Sequence, residues 1–324
     1  MGRDRFRIDA ADAAMLLVIL IWAFGNVVAK ASIAEIVPFG FIFARLLIVL
    51  PVVFLVAAMR GRLEVPCRRD WPMIVLAGLC GYGLYNVLYI LGIERTSPFS
   101  VALLLSLGPV FTLLFASILR IERVTAEQWI GVAIAFVGVA IFLSDKLRGG
   151  VYHPFGDVLT IGAGAVFAIY SLASRPITRN YGAPTATAWA VLVGFLIITP
   201  ITWRDARDQD WSAVGPIGWA GLFFAAYVSL LVGYNLWTWA IQRAGVGRTA
   251  PYLLVLPVLT GIMSAVLTGE RFGPLKVLGA MLVLAGTAVV RLVAGRAARR
   301  KASQAEMRSA VESGTMPSEH AVGG

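Results

Sequence analysis

The sequence is poor in charge. Asp, Glu, Lys and Arg make up 14% of its 324 residues, where a soluble domain typically carries about 25%. It is poorer still in buried acid: Asp9, Asp12, Glu35, Glu94, Glu122, Asp157 and Glu270 all fall at the ends of apolar segments or between them. A proton relay of the usual carboxylate kind is therefore not visible. Histidine is nearly absent. His153 stands in a connecting stretch and His320 in the tail, and neither has the neighbours a metal site needs. The two cysteines, Cys67 and Cys80, have no metal or redox spacing, and a disulfide between them is not expected. HExxH motifs, paired mid-segment acids and Ser/His/Asp sets are all missing, which argues against a membrane-embedded enzyme. No metal or cofactor is expected. The formal net charge of +10 does not point to nucleic acid, because the basic residues sit in short connections and at the ends rather than on a stripe with interleaved aromatics.

What remains is apolar: 59% of the residues are hydrophobic. Ten segments of about 20 residues can be placed, at 13–34, 37–58, 71–91, 97–119, 125–143, 155–178, 184–203, 215–241, 246–268 and 274–293. At about 1.5 Å per residue each is long enough as a helix to cross a core of about 30 Å. Strand alternation is absent, so a barrel is not the reading. Arg3, Arg5 and Arg7 ahead of the first segment resemble the start of a signal peptide. The run is longer than a normal signal core and more segments follow, so it reads as a retained span. The expected fold is an all-α bundle of ten spans in contact with the lipid bilayer.

The chain also contains itself twice. Shifted by 148 positions, Arg95 to Ala140 falls without a gap on Arg243 to Ala288. Arg95 meets Arg243, Pro109 meets Pro257, Glu122-Arg123 meets Glu270-Arg271, and Gly131 and Gly138 meet Gly279 and Gly286. Such a duplication is the signature of a two-repeat transporter. One period holds five spans, an odd number, so the second copy must enter the membrane upside down relative to the first. The basic residues gather on the side of the two termini: Arg60, Arg62, Arg68, Arg69, Arg120, Arg123, Arg175, Arg179, Arg243, Arg248 and the C-terminal cluster from Arg291 to Arg308. That asymmetry puts both termini in the cytoplasm. The expected division is a cytoplasmic N-terminus at 1–12, a first repeat at 13–145, a second at 146–293, and a basic, disordered tail at 294–324.

Several residues stand out as candidates for function. Pro109 and Pro257 fall mid-span at matched positions, where a missing hydrogen bond kinks a helix; they are tolerated kinks or hinges. Pro51 and Pro200 are nearly matched, late in spans 2 and 7. Tyr82, Tyr85, Asn86 and Tyr89 form one helical stripe in span 3. Span 8 carries Tyr227, Tyr234, Asn235, Trp237 and Trp239. Trp22 and Asn26 lie one turn apart in span 1, and the shift carries them to Tyr170 and Ser174 in span 6. An aromatic belt at the membrane interface accounts for Trp71, Trp129, Trp203 and Trp211, at segment ends. It does not account for mid-span asparagines, which are costly against lipid. These are packing contacts or the lining of a substrate cavity on spans 1, 3, 6 and 8, and the cavity is the preferred reading. Lys30 snorkels or pairs; Arg45, deeper in span 2, is a structural ion partner or a carboxylate ligand, and Glu35 is near enough in sequence to pair with either. Gly131, Gly138, Gly279 and Gly286 predict close helix packing near spans 5 and 10, within one chain or across a homodimer.

Together these features resemble the EamA-type ten-helix exporters of the drug/metabolite transporter superfamily. The residues that carry the likeness are Trp22-Ala-Phe-Gly-Asn26, Arg95 through Ala102 leading into Leu107-Gly-Pro109, Glu122-Arg123, Gly131 and Gly138, with Ala250, Pro257, Glu270-Arg271 and Gly279 in the second copy. The resemblance covers nearly all of 13–293. It implies a basket-like bundle whose cavity is lined by spans 1–4 and 6–9, working by alternating access to export small metabolites, often amino acids. The mid-span aromatics resemble more loosely the YddG-type aromatic amino-acid exporters. Relatives of the four-helix multidrug type use a glutamate in the first span, and Ala13 to Ala34 contains none. The leading expectation is an amino-acid exporter acting as a facilitator or exchanger in a bacterial inner membrane. The alternatives are proton-coupled efflux of flat organic cations and exchange of nucleotide sugars or sugar phosphates.

Overall fold

The structure is a computed structural model, which describes residues 9–60, 63–120, 124–148, 154–244 and 249–312. Among them, nine helices are long and apolar enough to cross a membrane: Ala10–Ser32, Pro38–Met59, Trp71–Arg95, Pro98–Ile118, Ala126–Lys146, Phe155–Tyr181, Ala183–Asp208, Pro216–Trp237 and Pro274–Arg296. A shorter apolar helix, Tyr252–Thr268, stands where the ninth of ten spans is expected. They are called spans 1 to 10 in chain order. Most ends lie within a few residues of the sequence expectation. The far end of the bundle carries the turns after spans 1, 3, 5, 7 and 9, and the near end carries the others.

Local chemistry explains the starts. Asp9 caps span 1 by accepting from the backbone N–H of Ala11 at 2.9 Å and of Asp12 at 3.0 Å, while the Asp12 carboxylate accepts from the Asp9 N–H. Pro38, Pro72, Pro98, Pro184 and Pro216 sit in first turns, where a missing N–H leaves nothing unpaired. The last helix runs on to Glu312. Residues 302–312, expected to be disordered, therefore have helical backbone, because Ala, Gln, Glu, Met and Arg there favour helix once a preceding span has nucleated it. Residues 313–324 lie outside the described residues, as does the first Glu122-Arg123 pair.

The spans pair across a pseudo-two-fold. Span 1 packs on span 8, span 3 on span 6, span 2 on span 7, span 4 on span 9, and span 5 on span 10. Exchanging the repeats turns the 1–8 pair into 6–3 and maps each other pair onto itself. Spans 2 and 7 run in opposite directions: Phe43 meets Trp203 with ring centroids 5.5 Å apart, and Phe54 meets Trp189 at 5.5 Å. Spans 5 and 10 are antiparallel too. A Cβ on Gly131 would lie 2.9 Å from the Gly286 carbonyl oxygen, and one on Gly138 would lie 2.8 Å from that of Gly279. The four glycines therefore bring two backbones together within one chain.

The helices break in matched places. Span 3 contains a π-helical turn, Leu79–Gly83, and span 8 a longer one, Phe224–Val232. The shift of 148 carries the first inside the second. Span 4 is split into Pro98–Leu105 and Gly108–Ile118, and span 9 opens with the 3-10 turn Ala250–Leu254 before Val255–Thr268. The break in span 4 precedes Pro109, which sits in the first turn of the new helix. The same shift carries Ser106-Leu107 onto Leu254-Val255. Pro51 and Pro200 stay inside unbroken helices.

Candidate functional site

The polar residues of spans 1, 2, 3, 6 and 8 converge at the middle of the bundle. Asn26 and Tyr89, on spans 1 and 3, are both buried, and the Tyr89 hydroxyl donates to Asn26 Oδ1 at 2.9 Å. Asn86 is 4% exposed, satisfies its amide on the Tyr82 carbonyl at 2.8 Å, and accepts from the Arg45 guanidinium at 3.2 Å. Tyr82 and Tyr170 cross edge-on, with hydroxyls 3.4 Å apart. Tyr85 stacks on Tyr89, with centroids 5.8 Å apart, and touches Phe167, which also contacts Tyr170.

A second aromatic group joins the first. Trp22 packs on Tyr234 at 5.5 Å and Trp237 at 5.8 Å, and its indole N–H donates to the Ser229 carbonyl at 3.0 Å. That carbonyl belongs to the π turn of span 8, where the helical ladder is irregular. Tyr234 is within electrostatic reach of Tyr82, Tyr85 and Tyr170, and Arg45 of Tyr85, Tyr89 and Tyr234. Three phenols thus lie around one guanidinium, with Tyr82 and Tyr170 beside them. Its Nε is buried without a hydrogen-bond partner, and no carboxylate pairs with Arg45 among the described residues. A buried donor left unmade is expensive, so this one is poised for an acceptor.

Other expectations need correction or qualification. Lys30 does not pair with Glu35; its ammonium donates to the carbonyls of Ile93 at 2.7 Å and Glu94 at 2.6 Å, the free acceptors at the end of span 3. Glu35 instead accepts from the backbone N–H groups of Gly215 and Gly218 at the start of span 8, where a helix dipole favours an anion. The span 3 stripe does not lie wholly open, since Tyr82 and Tyr89 are core residues at 6% and 8% exposure. Asn235 donates to its own helix at the Leu231 carbonyl, and Ser174 makes only a long contact, 3.4 Å, to the Ser171 carbonyl.

Sequence reasoning missed Phe167 and Ser229. Phe167 stands three residues before Tyr170, a helical spacing that gave a usable signal. Ser229 gave none, because its contribution is a backbone carbonyl. Also missed was a buried ionic cluster at the far end. Lys146 pairs with Asp157 at 2.7 Å, and Lys276 with Glu270 at 2.6 Å. Thr96 donates to Asp157 at 2.7 Å, and its neighbour Ser97 donates to Glu270 at 2.6 Å. Lys276 also lies 4.8 Å from the centroid of the Phe272 ring.

Known proteins share this plan. The sequence profile of the EamA-like transporter family matches the chain over residues 10–144 and again over 154–292. A probable amino-acid metabolite efflux pump of Escherichia coli is 26% identical over 84% of this chain and 91% of its own. A probable terminal-alkyne amino-acid exporter of Streptantibioticus cattleyicolor is 27% identical over 74% of this chain and 78% of its own. An uncharacterized transporter of Bacillus subtilis, YyaM, is 25% identical over 68% and 72%. One solved structure superposes with a TM-score of 0.58 at 20% identity, covering 88% of this chain and 97% of that one, a likeness of fold. Matched by the profile in both halves, the chain is a member of the EamA-like transporter family.

Proposed function

We propose that this transporter exports amino acids or closely related zwitterionic metabolites across a bacterial inner membrane by alternating access, with both termini in the cytoplasm. Arg45 carries the reading. One guanidinium with a buried, unpartnered N–H suits one carboxylate. The surrounding tyrosines offer ring faces and hydroxyls to an ammonium group and an apolar side chain. The relatives named as amino-acid exporters support the same class. Lys30 is occupied by carbonyls, so a sugar diphosphate would find one cation where it needs several. A flat organic cation would meet the like charge of Arg45. Pro109 and Pro257, beside the breaks in spans 4 and 9, serve as hinges.

The protein runs down its substrate's own gradient or exchanges one substrate for another. Asp157, an acid at the start of span 6, is paired with Lys146 at the far end, away from the phenol cluster. The test uses proteoliposomes loaded with unlabelled amino acids. Counterflow of labelled substrate, stimulated from the opposite side, is the expected result. A pH gradient imposed without a substrate gradient should move nothing. Uphill movement abolished by Asp12→Asn or Asp157→Asn would replace the facilitator with a proton antiporter.

A further inference from the structure

The two repeats pair symmetrically, yet some contacts have no counterpart, and four of these lie at the far end. At the far end, span 1 packs on the second half of span 3 and on the first half of span 4. Span 2 packs on the second half of span 3, and the first half of span 4 packs on Val255–Thr268 of span 9. Exchanging the repeats turns these into four near-end contacts. Span 6 would meet the second half of span 8 and the start of span 9. Span 7 would meet the second half of span 8, and the start of span 9 would meet the second half of span 4. None of these four is a packed pair among the described residues. Side chains follow the same rule. Asn26 and Tyr89 are hydrogen-bonded, while their counterparts Ser174 and Trp237 point to other partners: Ser174 to the Ser171 carbonyl and Trp237 to Trp22. Among the described residues, these four contacts are made at the far end and their copies are not made at the near end.

The ionic cluster lies at the far end. Lys146 and Asp157 belong to spans 5 and 6, while Glu270 and Lys276 belong to the 9–10 turn and span 10. Each pair therefore sits within consecutive elements. The bonds that cross to the head of span 4 are one from the Lys146 ammonium to the Thr96 hydroxyl at 2.9 Å and the two hydroxyl-to-carboxylate bonds from Thr96 and Ser97. Thr96 and Ser97 are adjacent residues in the single turn between spans 3 and 4, so one displacement of that turn releases all of these bonds. Neither ion pair need part when it does. The side chains are 13% exposed at Lys146, 0% at Asp157 and 10% at both Glu270 and Lys276, and breaking such pairs would strand buried charge. Moving only the hydroxyls avoids that penalty.

We propose, resting on the transport reading above, that Thr96 and Ser97 are the latch that holds the far end of the pathway shut, with the Lys146–Asp157 and Lys276–Glu270 pairs as its fixed catches. Release of the latch admits the opposite, far-open state, in which Ser174 and Trp237 come together as Asn26 and Tyr89 do here.

The test reads accessibility without any substrate, so its failure leaves the amino-acid reading standing. In a Cys67→Ser, Cys80→Ala background, Val101→Cys places a near-isosteric thiol fully buried behind the latch. The exposed Ser212→Cys marks the far side. Thr96→Val with Ser97→Ala should raise far-side labelling of position 101 by an impermeant maleimide about tenfold, the change expected when the shut state loses ~1.4 kcal/mol. Unchanged labelling would overturn the latch, as would a lower melting temperature without a far-side gain, the outcome for a static staple. Independently, Ser97→Cys with Ser264→Cys places two thiols on the hydroxyl positions that share the Glu270 carboxylate. Bridging them through two disulfides with a short bifunctional thiosulfonate should stop counterflow until the bridge is reduced. Counterflow at the unbridged rate would also overturn the proposal.

Discussion

In the seam between spans 5 and 10, Gly131 faces Gly286 and Gly138 faces Gly279. Both contacts are copies of one another under exchange of the repeats. In the centre, the same exchange pairs unlike residues: Trp22 with Tyr170, Asn26 with Ser174, Asn86 with Tyr234, Tyr89 with Trp237, and Arg45 with Val193. Both regions descend from one duplicated plan, and only the seam has kept it. Close backbone approach has one chemical solution, glycine, so the seam cannot diverge. A site for a ligand with two different ends gains nothing from symmetry, so the centre can.

The seam should be the less forgiving of the two. Gly138→Leu drives a side chain into backbone, since even a Cβ there would lie 2.5 Å from the Val283 nitrogen. Overpacking typically costs about 1–3 kcal/mol and more where the neighbour cannot move, so membrane yield and melting temperature should collapse. A well-folded Gly138→Leu protein would remove the distinction between seam and centre. Arg45→Gln should leave yield nearly intact and weaken substrate affinity about tenfold to a hundredfold, the equivalent of a charged hydrogen bond worth ~1.5–3 kcal/mol. Loss of folding instead would make Arg45 a structural residue.

Tyr82 lies in the centre but is packed as closely as a core residue. Its ring is 6% exposed, so Tyr82→Ala should destabilise by about 3–5 kcal/mol, as large aromatic truncations in a core do. Tyr82→Phe removes only a hydroxyl whose contact with Tyr170 is 3.4 Å. It should weaken transport less than tenfold, in keeping with a bond worth roughly 1 kcal/mol. The smallest effect on affinity belongs to Lys30→Met. That lysine secures span 1 to the end of span 3, so stability should fall while the substrate KM stays put. A raised KM would extend the binding site outward to Lys30.

The fold was legible because its determinants are periodic. Apolar runs of membrane length, a repeat offset and an odd span count require no knowledge of side-chain partners. Glycines at a fixed spacing announced the seam for the same reason. The site was legible only as residue types. Nothing in the sequence says that Lys30 reaches two carbonyls rather than Glu35, because a carbonyl belongs to every residue. The π turns at Leu79–Gly83 and Phe224–Val232 were equally silent, since one extra residue per turn leaves the apolar pattern unaltered. The latch joins Thr96 and Ser97 to partners 61 and 173 residues away, a proximity that only the packed bundle creates.

The central claim is that Arg45 holds a carboxylate in this diverged centre. Its most direct test measures affinity for an amino acid and for the matching amino-acid amide, in the wild-type protein and in Arg45→Gln, as a double-mutant cycle. The account predicts that the wild-type protein prefers the free acid and that Arg45→Gln loses most of that preference. An equal preference in both proteins would contradict it.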